Sequence, residues 1–301
     1  MYRLIVTLIA AAFTFSACGG EPAPRESSGT APPDILTTTT ILADVARNVA
    51  GDRLVVESLL PVGADPHSYQ PVPQDAAKIS ETKVLVINGA EYEHFLEELI
   101  ESADGERALI EASAGLRLRT DAESEHGVDP HLWLDPNNVI VYAENIREGL
   151  THFDPDGAEV YGSNASAYID QLAELDAWIN DQVAQIEPQR RVLVTNHEAF
   201  GYFAERYGFT IIGSVIESFS SNSSPSAQQM ADLIDQIKLS EAPAIFLDAS
   251  DNPTLAQQIA AETEVKVVAD LHLESLTDGA PAGTYIEMMR YNVTKIVESL
   301  Q

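Results

Sequence analysis

Residues 154–188 read DPDGAEVYGSNASAYIDQLAELDAWINDQVAQIEP, and between Pro155 and Pro188 no proline interrupts them. Asp154 is suited to cap a helix and Pro155 to occupy its first turn, where the missing N–H costs nothing. Tyr161, Ala165, Tyr168, Leu172, Leu175 and Ile179 follow alternating spacings of four and three, which keeps them on one face of a helix. At 1.5 Å per residue the segment spans roughly 45 Å. Such a stripe suits either a coiled-coil partner or burial within the same chain, and the flanking sequence decides between them.

On both sides short β-rich runs alternate with amphipathic segments, the pattern of α/β architecture with mainly parallel sheets. Ahead of the helix the strand candidates are Ile35–Thr40, Leu54–Leu60 and Lys83–Asn88. Beyond it they are Val192–Thr195, Phe209–Gly213, Ala244–Leu247 and Val265–Ala269. The expected fold is therefore α/β, with two similar lobes, 34–153 and 188–301, joined by one long rigid central helix over 154–187 that packs across both.

The N-terminus predicts export. Arg3 supplies a positive charge, Leu4–Phe15 an apolar run, and Ser16 and Ala17 are small residues directly before Cys18; together these predict a signal peptide over 1–17. The run is shorter than the roughly 20 residues that cross a bilayer as a helix. Cys18 is the only cysteine, so no disulfide can form within the chain. Phe15-Ser16-Ala17-Cys18 resembles a bacterial lipobox, with phenylalanine where leucine is usual. That resemblance implies lipidation at Cys18 and an extracytoplasmic protein anchored to the cell membrane by its N-terminal acyl chains. Residues 18–33 then form the lipidated N-terminus and a flexible tether, because Glu21–Pro33 is rich in Pro, Ser, Gly and Ala and has almost no apolar bulk.

Forty-seven acidic side chains against 17 basic ones give a formal charge of −30, which argues against nucleic acid or an anionic membrane surface as ligand. A cationic ligand fits better. The acids are nevertheless spread along the whole chain, so solubility or a salty habitat accounts for most of that charge.

Three of the seven histidines occupy comparable places. His67 lies in a loop after the second strand candidate, His131 in Asp129-Pro130-His131-Leu132-Trp133-Leu134-Asp135-Pro136, and His197 after Val192–Thr195, where a helix is expected to begin. Open α/β sheets bind ligands at the carboxyl ends of their strands, so such loops can converge on one crevice. Proline before two of the histidines restricts the backbone. Neutral imidazoles suit zinc and other first-row ions, and a carboxylate could complete the shell. Spacings of some sixty residues carry no local geometric signature, and from spacing alone these could equally be ordinary hydrogen-bonded histidines.

Four passages, Gly63–Tyr69, Asp129–Pro136, Thr195–Phe203 and Thr284–Asn292, together with the long central helix, resemble the metal-binding solute-binding proteins of zinc and manganese ABC importers over nearly all of the mature chain. The resemblance implies a carrier, not an enzyme, that delivers a divalent metal ion to a membrane permease. It places His67, His131 and His197 at the first three ligand positions. The fourth is usually aspartate, and Glu274 stands there; Asp270 and His272 are the alternatives. At the position of His197, zinc-type members of that family tend to have histidine and manganese carriers glutamate. Three imidazoles also suit zinc better than manganese, whereas the absence of a histidine-rich loop from Thr120 to Asp129, which holds only His126, keeps manganese and iron open.

Asp65, Asp135 and Glu198 are candidates to orient ligand imidazoles through hydrogen bonds. Trp133 reads as packing beneath the site, and His94 and His152 as helical residues outside it. Protonation below the ordinary imidazole pKa of about 6.5 is expected to weaken metal binding. A secreted metallohydrolase is disfavoured because His197-Glu198 does not continue into the His-Glu-x-x-His pattern and a fourth protein ligand would close the site to water. A siderophore- or cobalamin-binding protein would need a broad aromatic or basic cleft. A monomer suits docking on a transporter.

Overall fold

A computed structural model describes residues 33–301 apart from 97–98, 101–102, 104 and 121–126. Cys18, the expected signal peptide, most of the expected tether and His126 lie outside the described residues. Two four-stranded sheets organise the chain. The first contains β1 (Ile35–Thr37), β2 (Val56–Ser58), β3 (Val84–Ile87) and β4 (Ala108–Glu111), in the order β2-β1-β3-β4. The second contains β5 (Val192–Thr195), β6 (Thr210–Ser214), β7 (Ala244–Asp248) and β8 (Lys266–Leu271), in the order β6-β5-β7-β8. Every pairing is parallel, and the repeated order makes the two lobes alike.

Side chains on successive strand residues point to opposite faces, and both sheets use this to share one core. Ile35, Val84 and Val86 of the first sheet and Leu193, Ala244 and Phe246 of the second belong to one buried cluster. Their neighbours Leu36 and Leu85 pack in a separate cluster on the outer face of the first lobe. Val194, Ile245 and Leu247 do the same on the outer face of the second. Burial on both faces is what a parallel sheet requires.

Helices α1 (Thr40–Ala50) and α2 (Pro73–Glu81) belong to the first lobe, and α3 (Pro136–Phe153) leads into the long helix α4 (Ala158–Val183). Helices α5 (Gly201–Tyr207), α6 (Ala227–Ser240), α7 (Thr254–Thr263) and α8 (Tyr285–Leu300) follow. The whole expected stripe of α4, extended by Val183, is buried. It lies in the core shared by both lobes, so the stripe is covered by this chain itself. Helix α4 turns back along α3: Asn137, at the start of α3, donates to Asp176 in the later part of α4 at 3.2 Å. Its 26 residues span about 39 Å.

Three local expectations are corrected, and one strand was not anticipated. Asp154 does not cap with its side chain, because its carboxylate is taken by Arg53 and by the Tyr161 hydroxyl, and a 3-10 turn, Pro155–Gly157, precedes α4. The first strand ends at Thr37 because Thr39 accepts from the N–H of Leu42 and caps α1. Helix α5 begins at Gly201, not at His197. Strand β4 escaped the sequence reading because it is a short edge strand in which only Ile110 is buried. Among the described residues no helix is long and apolar enough to cross a membrane.

Candidate metal centre

Each of the four candidate ligands sits in a connection that follows the carboxyl end of a strand. His67 follows β2, His197 follows β5, Glu274 follows β8, and His131 lies between β4 and α3. One ligand atom from each of the four residues lies within 4.8 Å of every other. His131 Nε2 is 3.3 Å from His67 Nε2 and 3.3 Å from His197 Nε2. Glu274 Oε1 is 3.4 Å from His131 Nε2, 3.3 Å from His197 Nε2 and 3.9 Å from His67 Nε2. All four side chains are almost wholly buried, at 5% exposure or less.

Two identical turns present two of the imidazoles. In Asp65-Pro66-His67 the Asp65 carboxylate accepts the backbone N–H of His67 at 2.9 Å, and in Asp129-Pro130-His131 Asp129 accepts that of His131 at 3.0 Å. A carboxylate bonding the backbone two residues on is an Asx turn, and the proline between fixes its φ. Asp129 does more than Asp65. Its Oδ1 also lies 2.9 Å from His131 Nδ1, which keeps the proton there and turns Nε2 towards the cluster. Neither His131 nor Asp129 is exposed to any useful degree. Gly201 permits this arrangement, since a Cβ there would collide with the Asp129 carboxylate and the Arg119 guanidinium.

The other side of the cluster is aromatic. Tyr92 donates its hydroxyl proton to Glu274 Oε2 at 2.7 Å and meets the His67 ring edge-on at 5.3 Å between centroids. Trp133 packs against both Tyr92 and His131, and its indole N–H donates to the carbonyl of Leu273 at 2.8 Å. With Oε2 engaged by Tyr92, Oε1 is buried with no partner outside the cluster and faces three imidazole nitrogens. A buried carboxylate oxygen needs positive charge beside it, which a protonated His131 supplies in the free protein and a bound cation would supply in its place.

Burial disfavours a charged His131, but the Glu274 and Asp129 carboxylates at its two nitrogens outweigh burial and raise its pKa to about 9. Burial dominates at His67 and lowers it to about 4, against the attraction of Glu274 and with repulsion from the other two imidazoles. Burial also acts on Glu274, yet the three imidazoles hold its carboxyl well below the usual range.

Of the remaining sequence candidates, Asp65 bonds the backbone of His67 and not its imidazole, and its Oδ2 accepts from the Ser221 hydroxyl at 2.7 Å. Asp135 does not orient an imidazole: it accepts from the Asn137 backbone and caps α3. Glu198 lines a cavity of about 250 Å³ with Arg119, Gly201 and Phe219, and it stands outside the four-atom cluster. Asp270 and His272, the alternatives for the fourth position, lie outside the four-atom cluster. Asp270 is bonded by Tyr291 and Lys295, and His272 packs on the Tyr291 ring. Trp133 is packing beneath the site, as its sequence position suggests. His94 lies in a turn, not a helix, and shares with His67, Tyr92 and Phe219 the lining of a cavity of about 240 Å³. His152 is in the last turn of α3. The sequence reading missed Asp129 as the partner of His131 and Tyr92 as that of Glu274. The repeated Asp-Pro-His could have revealed the first, and nothing local marks the second.

The family model described as zinc-uptake complex component A, periplasmic (ZnuA), matches residues 35–299. The chain is 35% identical to the manganese-binding lipoprotein MntA of Halalkalibacterium halodurans, over 99% of this chain and 96% of that protein. It is 33% identical to the iron-binding protein YfeA of Yersinia pestis, over 88% and 85% of the two. Among solved structures it is similar to the periplasmic zinc binding protein TroA of Treponema pallidum, with a TM-score of 0.82, 28% identity and coverage of 89% of this chain and 99% of that one.

Proposed function

The chain belongs to the ZnuA family of metal-binding periplasmic substrate-binding proteins of ABC importers, and on that premise we propose that it captures Zn²⁺ through His67, His131, His197 and Glu274 and delivers it to a membrane permease. The observation that carries the reading is the spacing of the four donor atoms. Zinc with ligands at 2.0–2.1 Å in a tetrahedron sets them about 3.3 Å apart. Four of the five separations stated above are 3.3 or 3.4 Å. Because Tyr92 occupies Oε2, Glu274 offers a single oxygen, which suits a closed four-coordinate site of three nitrogens and one oxygen. Such a site leaves no open position for water, which favours a carrier over a metallohydrolase. The burial of the donor set within an imidazole-lined pocket likewise favours a bare ion over an organic chelate.

Manganese is the second reading, favoured by the 35% identity to a manganese-binding lipoprotein; iron has the corresponding support from the iron-binding relative. In the cell the protein works extracytoplasmically as a monomer held to the membrane through acylated Cys18, with the ABC permease as its partner. Elemental analysis of the purified mature protein, with competitive zinc and manganese titrations of wild type and His197→Ala, tests the proposal. One equivalent of zinc, bound more tightly than manganese and weakened by the substitution, is expected. Tighter manganese binding would transfer the protein to the second reading, and no stoichiometric metal would refute both.

A further inference from the structure

The segment that carries Glu274 is held in an unusual way. Residues 272–276 take part in no backbone–backbone hydrogen bond among the described residues, although four of the five are buried. Buried peptide groups need partners, and here side chains supply them. Asn292 on α8 accepts from the N–H of His272 at 2.9 Å and donates to its carbonyl at 2.6 Å, satisfying both backbone groups of one residue as a neighbouring strand would. Trp133 donates to the carbonyl of Leu273, and Thr40, at the start of α1, accepts from Leu276 at 2.9 Å. Asp248, the last residue of β7, accepts through Oδ2 from the backbone N–H groups of both Leu273 and Glu274.

We propose that Asp248 is the positioning residue for the fourth ligand, assisted by Asn292: it fixes the backbone at Glu274 so that Oε1 meets the three imidazoles, and its contribution to metal affinity acts through Glu274. The inference rests on the assignment of Glu274 as a ligand. Asp248 is 4% exposed and forms no ion pair among the described residues. A buried carboxylate without a cation is costly, so a turn needing only closure would be served by a neutral side chain. Its four acceptor contacts explain why a carboxylate is used. While Oδ2 holds Leu273 and Glu274, Oδ1 accepts the backbone N–H and hydroxyl of Ser250. Every partner is a donor, and an asparagine in the same place would turn its NH₂ towards one pair.

A double-mutant cycle separates positioning from general support. Zinc affinities of wild type, Asp248→Asn, Glu274→Gln and the double variant are measured by competition with a chromophoric chelator, with circular dichroism checking that each is folded. Loss of an outer partner of a ligand weakens binding by about 10–100-fold, and that loss is expected for Asp248→Asn in the wild-type background. In the Glu274→Gln background the same change is expected to cost less than about threefold, because the ligand it positions is gone. Equal losses in both backgrounds, or wild-type affinity in Asp248→Asn, would overturn the inference. Undiminished zinc binding by Glu274→Gln alone would instead refute the assignment of the site. Should Asp248→Asn fail to fold, Asn292→Ala enters the same cycle with the same expectations.

Discussion

Metal binding should expel a proton from His131 at neutral pH. Its Nδ1 lies 2.9 Å from Asp129 and its Nε2 3.4 Å from Glu274 Oε1, and those two carboxylates hold the imidazole pKa at about 9. The rise from 6.5 amounts to about 3 kcal/mol in favour of the charged ring. At pH 7 the free protein therefore carries nearly one proton on the nitrogen that would bind the ion, and about one proton per zinc should be released. His67, lowered to about 4, adds nothing above pH 5. Zinc affinity should then climb by about tenfold per pH unit, or about 100-fold from pH 6.5 to 8.5, and level off above 9. Titration calorimetry at pH 7 in buffers of different ionisation enthalpy counts the protons, and the dependence on pH gives the slope. An unperturbed histidine would compete with the metal only below about 6.5. Flat affinity between pH 7 and 8.5 with no proton released would refute the electrostatic argument and return the site to that simpler behaviour.

Apo stability should carry the same signature: a pKa raised from 6.5 to about 9 contributes stability that is full below pH 6.5 and lost as pH rises through 9, so the denaturant midpoint of the metal-free protein should fall over that window and fall less in Glu274→Gln. Gly201→Ala should weaken zinc binding by about tenfold or more, because the added methyl displaces Asp129 from His131; unchanged affinity would show that Asp129 does not orient the ring. Leu172→Ala, at a fully buried position of α4, should cost about 2–5 kcal/mol in a chemical melt while leaving the metal affinity of the folded protein unaltered. Zinc at 100 times its Kd should stabilise the protein by about 2.7 kcal/mol, and a chelator should abolish that gain in a thermal scan.

The α4 stripe was legible because helical periodicity is local: Tyr161 to Ile179 carry their spacing wherever the partner surface lies. Seven strand positions were legible for the same reason, since a buried parallel strand must be an apolar run. His67, His131 and His197 could be named as ligands only through motif resemblance, because residues some sixty positions apart have no geometry until the lobes pack. The fourth position shows the limit most clearly. Asp270, His272 and Glu274 lie within five residues, and no local rule ranks them. Packing of α8 on β8 gives Asp270 to Tyr291 and Lys295 and His272 to the Tyr291 ring, while Asp248 and Tyr92 aim Glu274 inward. The repeated α/β lobes and the linking helix follow from periodicity alone, and the candidate ligands from motifs that survive without any knowledge of the packing. Which carboxylate faces the imidazoles, and how far the protonation of His131 departs from that of a free imidazole, depended on distances between residues from both lobes, which only the tertiary structure sets.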